Sequence, residues 1–411
     1  MNNRVIPFSP PDISEAEIAE VAEALRSGWI TTGPRTKEFE RRISACCHTQ
    51  KTVCLSSATA AEELALRTLG IGAGDEVIVP AYTYTATASA AIHVGATVRF
   101  VDSLPGSWVM DPRQVDAAVT EHTKAIIPVD FAGFPTDPAP LFEVAHRRRN
   151  LFRPENKTGN GLDLQAQLGR IAIVDDGAHS FGASRGGVPV GSLADMTCFS
   201  FHAVKNLTTA EGGALTWNLP GSTDHEAIYR ELQLLSLHGQ SKDALAKDQP
   251  GAWEYDIVAP YYKCNMTDIM AAIGLRQLDR YPEMIRHRGE LIDTYNRFLI
   301  PAGCWVIPHD EPGTVSSRHL YILRVPGLSE EQRNLVIRRM GERKIACNVH
   351  YKPLPMMTAY RKLGWDIRNF PEALDFYRNE ITLPLYSRLS VDDACYIAEN
   401  FVDVLQSVRR G

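Results

Sequence analysis

Seven short apolar runs recur between residues 52 and 217, spaced so that a helix fits between most neighbours. The runs lack the polar alternation of a strand with one solvated face, so we expect strands covered on both faces in a mainly parallel sheet. They lie at Thr52–Leu55, Asp75–Pro80, Thr97–Asp102, Thr123–Asp130, Arg170–Asp176, Met196–Phe201 and Ala214–Trp217. The pattern predicts an α/β fold whose large domain holds a seven-stranded, mainly parallel sheet.

Helical patterns flank these runs on both sides. Ser14 can cap an N-terminal helix in which Glu17 completes a capping box, and Gly28 ends the apolar stripe of that helix. A long helical pattern begins near Thr267, and we expect it to bend or break near Pro282. The chain therefore starts with a helix and has a long one after the sheet.

Beyond the long helix the pattern predicts a smaller C-terminal α/β domain. Its strands are expected at Leu320–Val325 and Ile345–Tyr351, and its helices at Glu330–Arg339 and Val391–Arg409. We divide the chain into a large domain over 1–275 and a small domain over 276–411. A polar, Asn- and Gly-rich stretch over 147–169 predicts a surface insertion in the large domain, and 240–260 predicts a long loop.

Charge and composition narrow the classes of partner. The chain has 43 Lys plus Arg against 49 Asp plus Glu, a formal charge of -6, and no basic patch that would suggest nucleic acid. No apolar run approaches the ~18 residues of a membrane helix, and no N-terminal signal is visible, so we expect a cytoplasmic protein with a small-molecule partner. The eight cysteines show no metal-ligand spacing; we expect buried free thiols and no metal site.

One lysine stands on a tight polar loop between the last two strands of the predicted sheet. Lys205 follows the run Met196–Phe201, and a Glu-Gly-Gly turn at 211–213 leads into the next run. A lysine held at a strand end beside polar neighbours can lose its proton and form an imine with an aldehyde. By itself this signal is weak, because most lysines are solvated surface charges.

A possible phosphate site lies at the start of another predicted helix. Ser57 can cap that helix, and the small residues Ala58 and Thr59 leave its first backbone N–H groups open to an anion. Ser200, at the end of the strand before Lys205, can add a hydroxyl group. Taken alone, the segment is explained equally well as a well-capped helix.

An acid and an aromatic residue complete the constellation. Asp176 ends a strand and can pair with a ring nitrogen; we choose it over Asp175 because neighbouring side chains in a strand face opposite ways. Tyr84, just beyond another strand, can stack on a ring. With Lys205 and the phosphate site, these residues predict bound pyridoxal 5'-phosphate (PLP).

The same segments carry a resemblance to a known family. The motifs GWITTGP, SSATAAE, DEVIVPAYTYTATASA, DDGAHSFGA, CFSFHAVKNLTTAEGG, YKCNMTD and VHYKPL follow one another along the chain. In this order they resemble the DegT-type nucleotide-sugar aminotransferases of fold type I. Within that group they are similar to enzymes that aminate C4 of UDP-4-keto sugars, in the UDP-4-amino-4-deoxy-L-arabinose and UDP-4-amino-4,6-dideoxy-sugar branches.

The resemblance implies roles for individual residues. Lys205 would be the Schiff-base lysine and Asp176 the partner of the pyridine nitrogen. The other cofactor contacts it implies are Ala58, Thr59 and Ser200 at the phosphate, Tyr84 and His179 at the ring, and Asn265 at the phosphate of the neighbouring subunit. The substrate contacts it implies are Trp29, Thr31, Thr32, His202, His350 and Tyr351. A homodimer with shared sites follows from the expected position of Asn265.

The activity that the resemblance implies is a ping-pong transamination through pyridoxamine phosphate. L-glutamate would donate the amino group, and C4 of a UDP-4-keto-6-deoxy sugar or a 4-keto-pentose would receive it. The alternatives are a sugar dehydratase, an aminotransferase for a cyclitol ketone, and a PLP-binding regulator without turnover. Lys205 favours transamination over dehydration, because the related dehydratases replace this lysine by histidine or add an iron–sulfur cluster. The chain departs from the family pattern at Asp175, where many members have Glu, and at Ala210, where Gly is common.

Overall fold

The computed structural model describes residues 4–241 and 254–410, and its main feature is the seven-stranded sheet. The strands are β1 (Thr52–Leu55), β2 (Glu76–Pro80), β3 (Thr97–Val101), β4 (Thr123–Ile126), β5 (Ala172–Asp176), β6 (Met196–Ser200) and β7 (Gly213–Trp217). Their order in the sheet is β1-β7-β6-β5-β4-β2-β3. Only β7 runs antiparallel to its neighbours, so the predicted α/β fold with a mainly parallel sheet is confirmed.

Helices and short elements connect and cover these strands. The helices are α1 (Glu15–Arg26), α2 (Pro34–Cys47), α3 (Ala58–Thr68), α4 (Thr85–His93), α5 (Pro112–Ala118), α6 (Ala139–Arg147), α7 (Leu164–Leu168), α8 (His225–Ser236), α9 (Asp268–Leu299), α10 (Glu330–Glu342), α11 (Thr358–Lys362), α12 (Pro371–Arg378) and α13 (Val391–Arg410). Single 3-10 turns lie at Phe131–Gly133, Val190–Ser192, Leu354–Met356 and Ile367–Asn369. Two-residue strands at Ser184–Arg185, Val188–Pro189, Asp310–Glu311 and Thr314–Val315 form a separate small sheet.

Burial on both faces explains why the apolar runs became the strands of the large sheet. The consecutive β2 residues Val77, Ile78 and Val79 are all fully buried, although successive side chains point to opposite faces. Helix α1 begins as predicted, with Ser14 and Glu17 forming the capping box. Strand β2 and helix α1 could both be predicted from local sequence, because an apolar run marks the strand and a capping box marks the start of the helix.

Helix α9 is continuous through Pro282, so the break predicted there as one of two outcomes is wrong, and the bend stays a prediction. Thr267 caps the helix by accepting a hydrogen bond from the backbone of Met270, and Pro282 lies inside it. The predicted domain boundary near residue 275 falls within this helix and stays a prediction. The same holds for part of the predicted loop over 240–260, since residues 242–253 lie outside the described residues.

The C-terminal part has its own antiparallel sheet of three strands. These are β8 (Trp305–Val306), β9 (Tyr321–Arg324) and β10 (Glu380–Leu383), in that order. The predicted strand at Ile345–Tyr351 is wrong. Its backbone pairs first with Ile6 and then, three residues on, with Thr382, so no continuous ladder forms.

The segment over 147–169 runs along the surface from the end of α6 to α7. Its polar side chains bind the carboxyl end of α3: Asn160 donates to the carbonyl of Thr68 and Gln165 to that of Leu69, each at 2.9 Å. These bonds satisfy carbonyl groups that a helix end leaves without internal partners. The segment therefore supports the helix whose other end faces the candidate site.

None of the helices in the described part of the chain combines the length and apolarity needed to cross a bilayer. A cytoplasmic location stays a prediction.

The cysteines are free, but Cys46 is exposed and Cys264, Cys347 and Cys395 are half-buried, so the expected burial is wrong for these four.

Candidate active site

A cavity of about 380 Å³ lies at the carboxyl ends of β5 and β6, against the start of α3. Ligand sites of open α/β sheets form at this edge. Ten of the predicted site residues line it: Ala58, Thr59, Tyr84, Asp176, His179, Ser200, His202, Lys205, His350 and Tyr351. Residues from both the large sheet and the C-terminal part thus meet in one place.

Lys205 projects into this cavity from the loop between β6 and β7. Its backbone N–H donates to the carbonyl of His202 at 2.9 Å, which closes a tight turn. Its ammonium group has no salt bridge within residues 4–241 and 254–410, and no other lysine from these residues lines the cavity. Burial lowers the pKa of Lys205 to about 8, and Asp176 opposes part of that shift. The amine is therefore easier to deprotonate than an ordinary lysine.

The two aspartates at the end of β5 have different environments. The buried carboxylate of Asp176 faces the cavity and accepts hydrogen bonds from the Thr87 hydroxyl at 2.7 Å and from the Ala178 N–H at 3.1 Å. Burial raises the pKa of Asp176, and the Thr87 bond opposes that rise. Asp175 does not line the cavity; burial and the neighbouring Asp130 raise its pKa well above the usual range. The alternation expected from the sequence is present.

The first turn of α3 presents free donors to the cavity. Ser57 caps the helix, accepting from the Ala60 N–H through its hydroxyl at 3.0 Å. The backbone N–H groups of Ala58 and Thr59 have no acceptor within the described ranges, and Ser200 lies on the same wall. Such a donor set fits a phosphate group. Gly213 permits this arrangement, since a Cβ there would lie 2.4 Å from the carbonyl carbon of Ser57.

His179 and Tyr351 form a hydrogen-bonded pair across the cavity. The Nδ1 atom of His179 accepts from the backbone N–H of Ala132 at 3.2 Å, so the ring proton is on Nε2, which donates to the Tyr351 hydroxyl at 3.1 Å. Burial and the charge of Lys205 lower the pKa of His179 well below its usual value. Tyr84 lies at the mouth, 58% exposed, with its ring 5.6 Å from that of Tyr351.

The two remaining histidines of the cavity differ in exposure. His350 pairs through Nδ1 with the Thr382 hydroxyl at 2.8 Å, and burial followed by the charge of Lys205 lowers its pKa to about 3. His202 is exposed and lies 3.7 Å from the carboxylate of Glu211. His350 is thus a neutral hydrogen-bonding group, whereas His202 stands at the entrance.

Trp29, Thr31, Thr32 and Asn265 lie outside the cavity and form a second group. Asn265 donates to the Thr32 hydroxyl at 2.5 Å, and the Trp29 indole donates to the Thr32 carbonyl at 3.1 Å. The Thr31 carbonyl accepts from the backbone of Asp268 at 3.0 Å. The residues predicted for one site therefore fall into two groups on a single chain.

Comparison with known proteins gives the family. The model of the DegT/DnrJ/EryC1/StrS aminotransferase family matches residues 11–151 and 162–402. The chain belongs to this aminotransferase family. The unmatched residues 152–161 lie in the segment predicted as an insertion.

Relatives and solved structures agree over nearly the whole length of this aminotransferase. The spore coat polysaccharide biosynthesis protein SpsC of Bacillus subtilis (strain 168) is 35% identical over 412 residues, 98% of each chain. The UDP-4-amino-4-deoxy-L-arabinose–oxoglutarate aminotransferase of Shewanella sediminis is 35% identical over 403 residues, 96% of each chain. The structure of Spr1654, a candidate sugar aminotransferase from Streptococcus pneumoniae, in its PLP form has a TM-score of 0.94 and 52% identity, covering 98% of this chain and 100% of that one. The expected resemblance is confirmed.

One departure of this aminotransferase from its family pattern has a structural consequence. Ala210 has a φ of 70°, in the left-handed region that favours glycine. This explains why glycine is common at the position. The strain lies in the turn that returns the chain from Lys205 to β7.

Among the polar residues of the cavity region that the sequence did not single out, two bear on Asp176. Glu62 lines the cavity, fully buried, and Thr87 holds Asp176. A signal for Glu62 was present, because it stands one helical turn after Ala58 and so shares its face of α3. Thr87 had no comparable signal, since its partner is distant in sequence.

Proposed function

We propose that this protein transfers an amino group from L-glutamate to C4 of a 4-keto sugar carried by UDP, either a 6-deoxy-hexose or a pentose. Its family is that of PLP-dependent sugar aminotransferases, and Spr1654 has been solved in PLP and pyridoxamine phosphate (PMP) forms. The cofactor is therefore PLP. The observation that carries the proposal is the cavity in which Lys205, Asp176 and the open end of α3 meet.

The residues of the cavity fit this cofactor. Ala58, Thr59 and Ser200 would hold the phosphate, and Asp176 would pair with the ring nitrogen. Lys205 would be the residue of covalent attachment. When bound, PLP supplies an electron sink that lets the Cα–H bond of an amino donor break.

The protein side of the reaction is proton transfer in a shielded cavity. Lys205, as a neutral amine, takes the proton from Cα of the donor and later returns a proton to C4 of the sugar. The pair of His179 and Tyr351 fixes one wall with a neutral imidazole. His179 and Tyr351 are hydrogen-bonded to each other, so they can orient a bound molecule. Since the imidazole is neutral and weakly basic, it does not take the proton that Lys205 carries. This use of Lys205 favours transamination over dehydration.

The sugar and nucleotide are proposed from relatives and from the resemblance. The relative from Shewanella sediminis is described as acting on UDP-4-amino-4-deoxy-L-arabinose and oxoglutarate. His202, His350 and Tyr351 offer hydrogen-bonding groups to a sugar at the cavity. Transfer to C4 of a UDP-linked sugar, with glutamate and 2-oxoglutarate as the donor pair, accounts for both.

We also propose a homodimer with shared sites. Asn265 and Thr32 bind each other but do not line the cavity of their own chain. A role at the phosphate of a neighbouring subunit accounts for their separation from Lys205. Trp29 and Thr31 would then approach the substrate of that same neighbouring site.

A substrate panel tests the proposed function. UDP-, dTDP- and GDP-linked 4-keto sugars, each offered with L-glutamate, are expected to give the highest kcat/KM for the UDP sugars, by about 10-fold or more if the nucleotide contacts are specific. Formation of the amino sugar and of 2-oxoglutarate is measured together by mass spectrometry. A higher kcat/KM with a dTDP or GDP sugar, or with a cyclitol ketone, would contradict the proposed acceptor. Loss of water from the sugar without amination would indicate a dehydratase.

The pKa of Lys205 predicts how cofactor attachment depends on pH. Lys205 must be neutral to attack, and its protonated fraction falls as the pH rises through its pKa of about 8. The rate at which apoprotein mixed with PLP acquires the absorbance of the bound cofactor should therefore increase with pH and reach half of its plateau near pH 8. A rate that is unchanged as the pH passes through that value would contradict the lowered pKa.

A further inference from the structure

Glu62 is a buried acid in the cavity wall, and no hydrogen-bond donor of the described residues reaches it. Its exposure is 0%, and neither carboxyl oxygen has a hydrogen-bond partner within the described ranges. The group beside it is the carboxyl of Asp176, which is also buried. Ionising both of two adjacent buried carboxyl groups would cost a large electrostatic free energy. One of the two groups therefore keeps its proton.

The neighbouring groups decide which carboxyl is neutral. Asp176 accepts hydrogen bonds from Thr87 and Ala178, which stabilise its ionised form, whereas Glu62 accepts none from the part of the chain that the structure describes. Lys205 adds a positive charge on the side of Asp176. The proton of the pair therefore belongs on Glu62.

Glu63 and Cys198 also lie beside the pair. Glu63 follows on the same helix, and its charge further disfavours an ionised Glu62, whereas Cys198 on β6 has its own pKa raised by burial and by these acids. Burial, then Asp176 and Glu63, raise the pKa of Glu62 well above its usual range. Glu63 therefore favours the same assignment of the proton, and Cys198, as a neutral thiol, does not oppose it.

We propose that Glu62 is a positioning residue: a neutral carboxylic acid that donates a hydrogen bond to Asp176 and thereby keeps Asp176 ionised opposite the ring nitrogen of the cofactor. This inference rests on the proposed function, since it needs PLP in the cavity. An ionised carboxylate has about four acceptor positions. Thr87 and Ala178 occupy two, so one remains for Glu62 and one for the ring nitrogen.

The expected consequence concerns the proton shared by Asp176 and the ring nitrogen. A hydrogen bond from Glu62 spreads the charge of the carboxylate and makes it a weaker base. The proton then stays on the ring nitrogen, where the positive charge strengthens the electron sink. Without Glu62 as donor, Asp176 would draw that proton back.

Two substitutions in the full chain test this inference with PLP as the probe. Glu62→Gln keeps a donor and no charge, whereas Glu62→Leu keeps a similar volume without a donor. The Leu variant should bind PLP about tenfold more weakly, and the pH midpoint of the bound cofactor's absorbance should rise by about one unit because the ring loses positive charge. The Gln variant should stay close to the unsubstituted protein in both measurements.

Matched controls separate positioning from a structural role. Glu63→Gln removes a charge one residue away that contributes less than burial and Asp176, so it should move the absorbance midpoint by much less than Glu62→Leu does. The Tm of the apoprotein is measured for both Glu62 variants, so that a loss of stability can be told apart from a shift of the midpoint. If Glu62 were merely structural, both of its variants would lower the Tm and neither would shift the midpoint.

Infrared spectroscopy reads the proton on Glu62 directly and uses only the Gln variant. The difference spectrum between unsubstituted protein and Glu62→Gln should contain the C=O stretching band of a neutral carboxylic acid. An ionised-carboxylate band in its place overturns the inference, as does an equal midpoint shift in the Gln and Leu variants or no shift in the Leu variant. An unsubstituted protein that fails to bind PLP would instead overturn the proposed function.

Discussion

Substitution of Lys205 by alanine is expected to lower the rate of transamination by at least about 10⁴-fold, the upper range for a lost acid–base group. The cavity contains no other lysine from the described residues, so no neighbouring amine can replace it. Burial has already lowered its pKa to about 8, which makes this amine available for both attack and proton transfer. The half-reaction with L-glutamate, followed through the absorbance of the bound cofactor, measures the loss.

Two further substitutions test whether the loss of activity comes from the missing amine of Lys205. Lys205→Arg should be as inactive as Lys205→Ala, because a guanidinium keeps its proton. Lys352→Ala removes an exposed lysine directly after Tyr351 and should leave the rate unchanged. Borohydride reduction of the holoenzyme followed by peptide mapping should place the reduced adduct on Lys205. An adduct on another lysine, or more than a trace of turnover in the Ala variant, would show that the assignment is wrong.

The large sheet could be predicted because its signal is local. Residues buried on both faces of β2 and its neighbours must be apolar throughout, and that pattern is visible without knowing any partner. Strand β10 and the pairing of Ile345 with Ile6 depend instead on segments far apart in sequence. Pro282 is similar, because the local sequence leaves a bend and a break equally open, and only the fold shows that α9 continues through it.

The candidate site likewise contains residues that the sequence pattern can locate and residues whose role depends on distant segments. Lys205, Asp176 and Ala58 each stand at the end or start of an element, a position that sequence pattern can locate. Glu62 lies within a helical stripe that otherwise packs inward, so its sequence position is that of a core residue. Its chemical meaning depends on the proximity of Asp176, which only the fold creates. The separation of Asn265 from the cavity was likewise visible only in three dimensions.

Asp176→Asn is expected to reduce kcat by about 10² to 10³-fold, the usual cost of losing one group that stabilises charge in a closed site. The amide keeps the shape of the side chain and can still accept from Thr87, but it carries no charge to hold a proton on the ring nitrogen. The pKa of Lys205 should also fall further, because Asp176 opposes the effect of burial there. Steady-state kinetics and the pH profile of cofactor attachment measure the two effects separately.

Asp175→Asn provides the matched control, one residue away on the same strand. Burial and Asp130 raise the pKa of Asp175 well above its usual range, which favours its neutral form, and an amide resembles that form in shape and charge. It faces away from the cavity, and its substitution should change kcat by less than about tenfold, with any effect appearing in Tm through Asp130. If Asp175→Asn lost as much activity as Asp176→Asn, the alternation along β5 would not explain the choice of acid. The pairing of the ring nitrogen with Asp176 would then have to be abandoned.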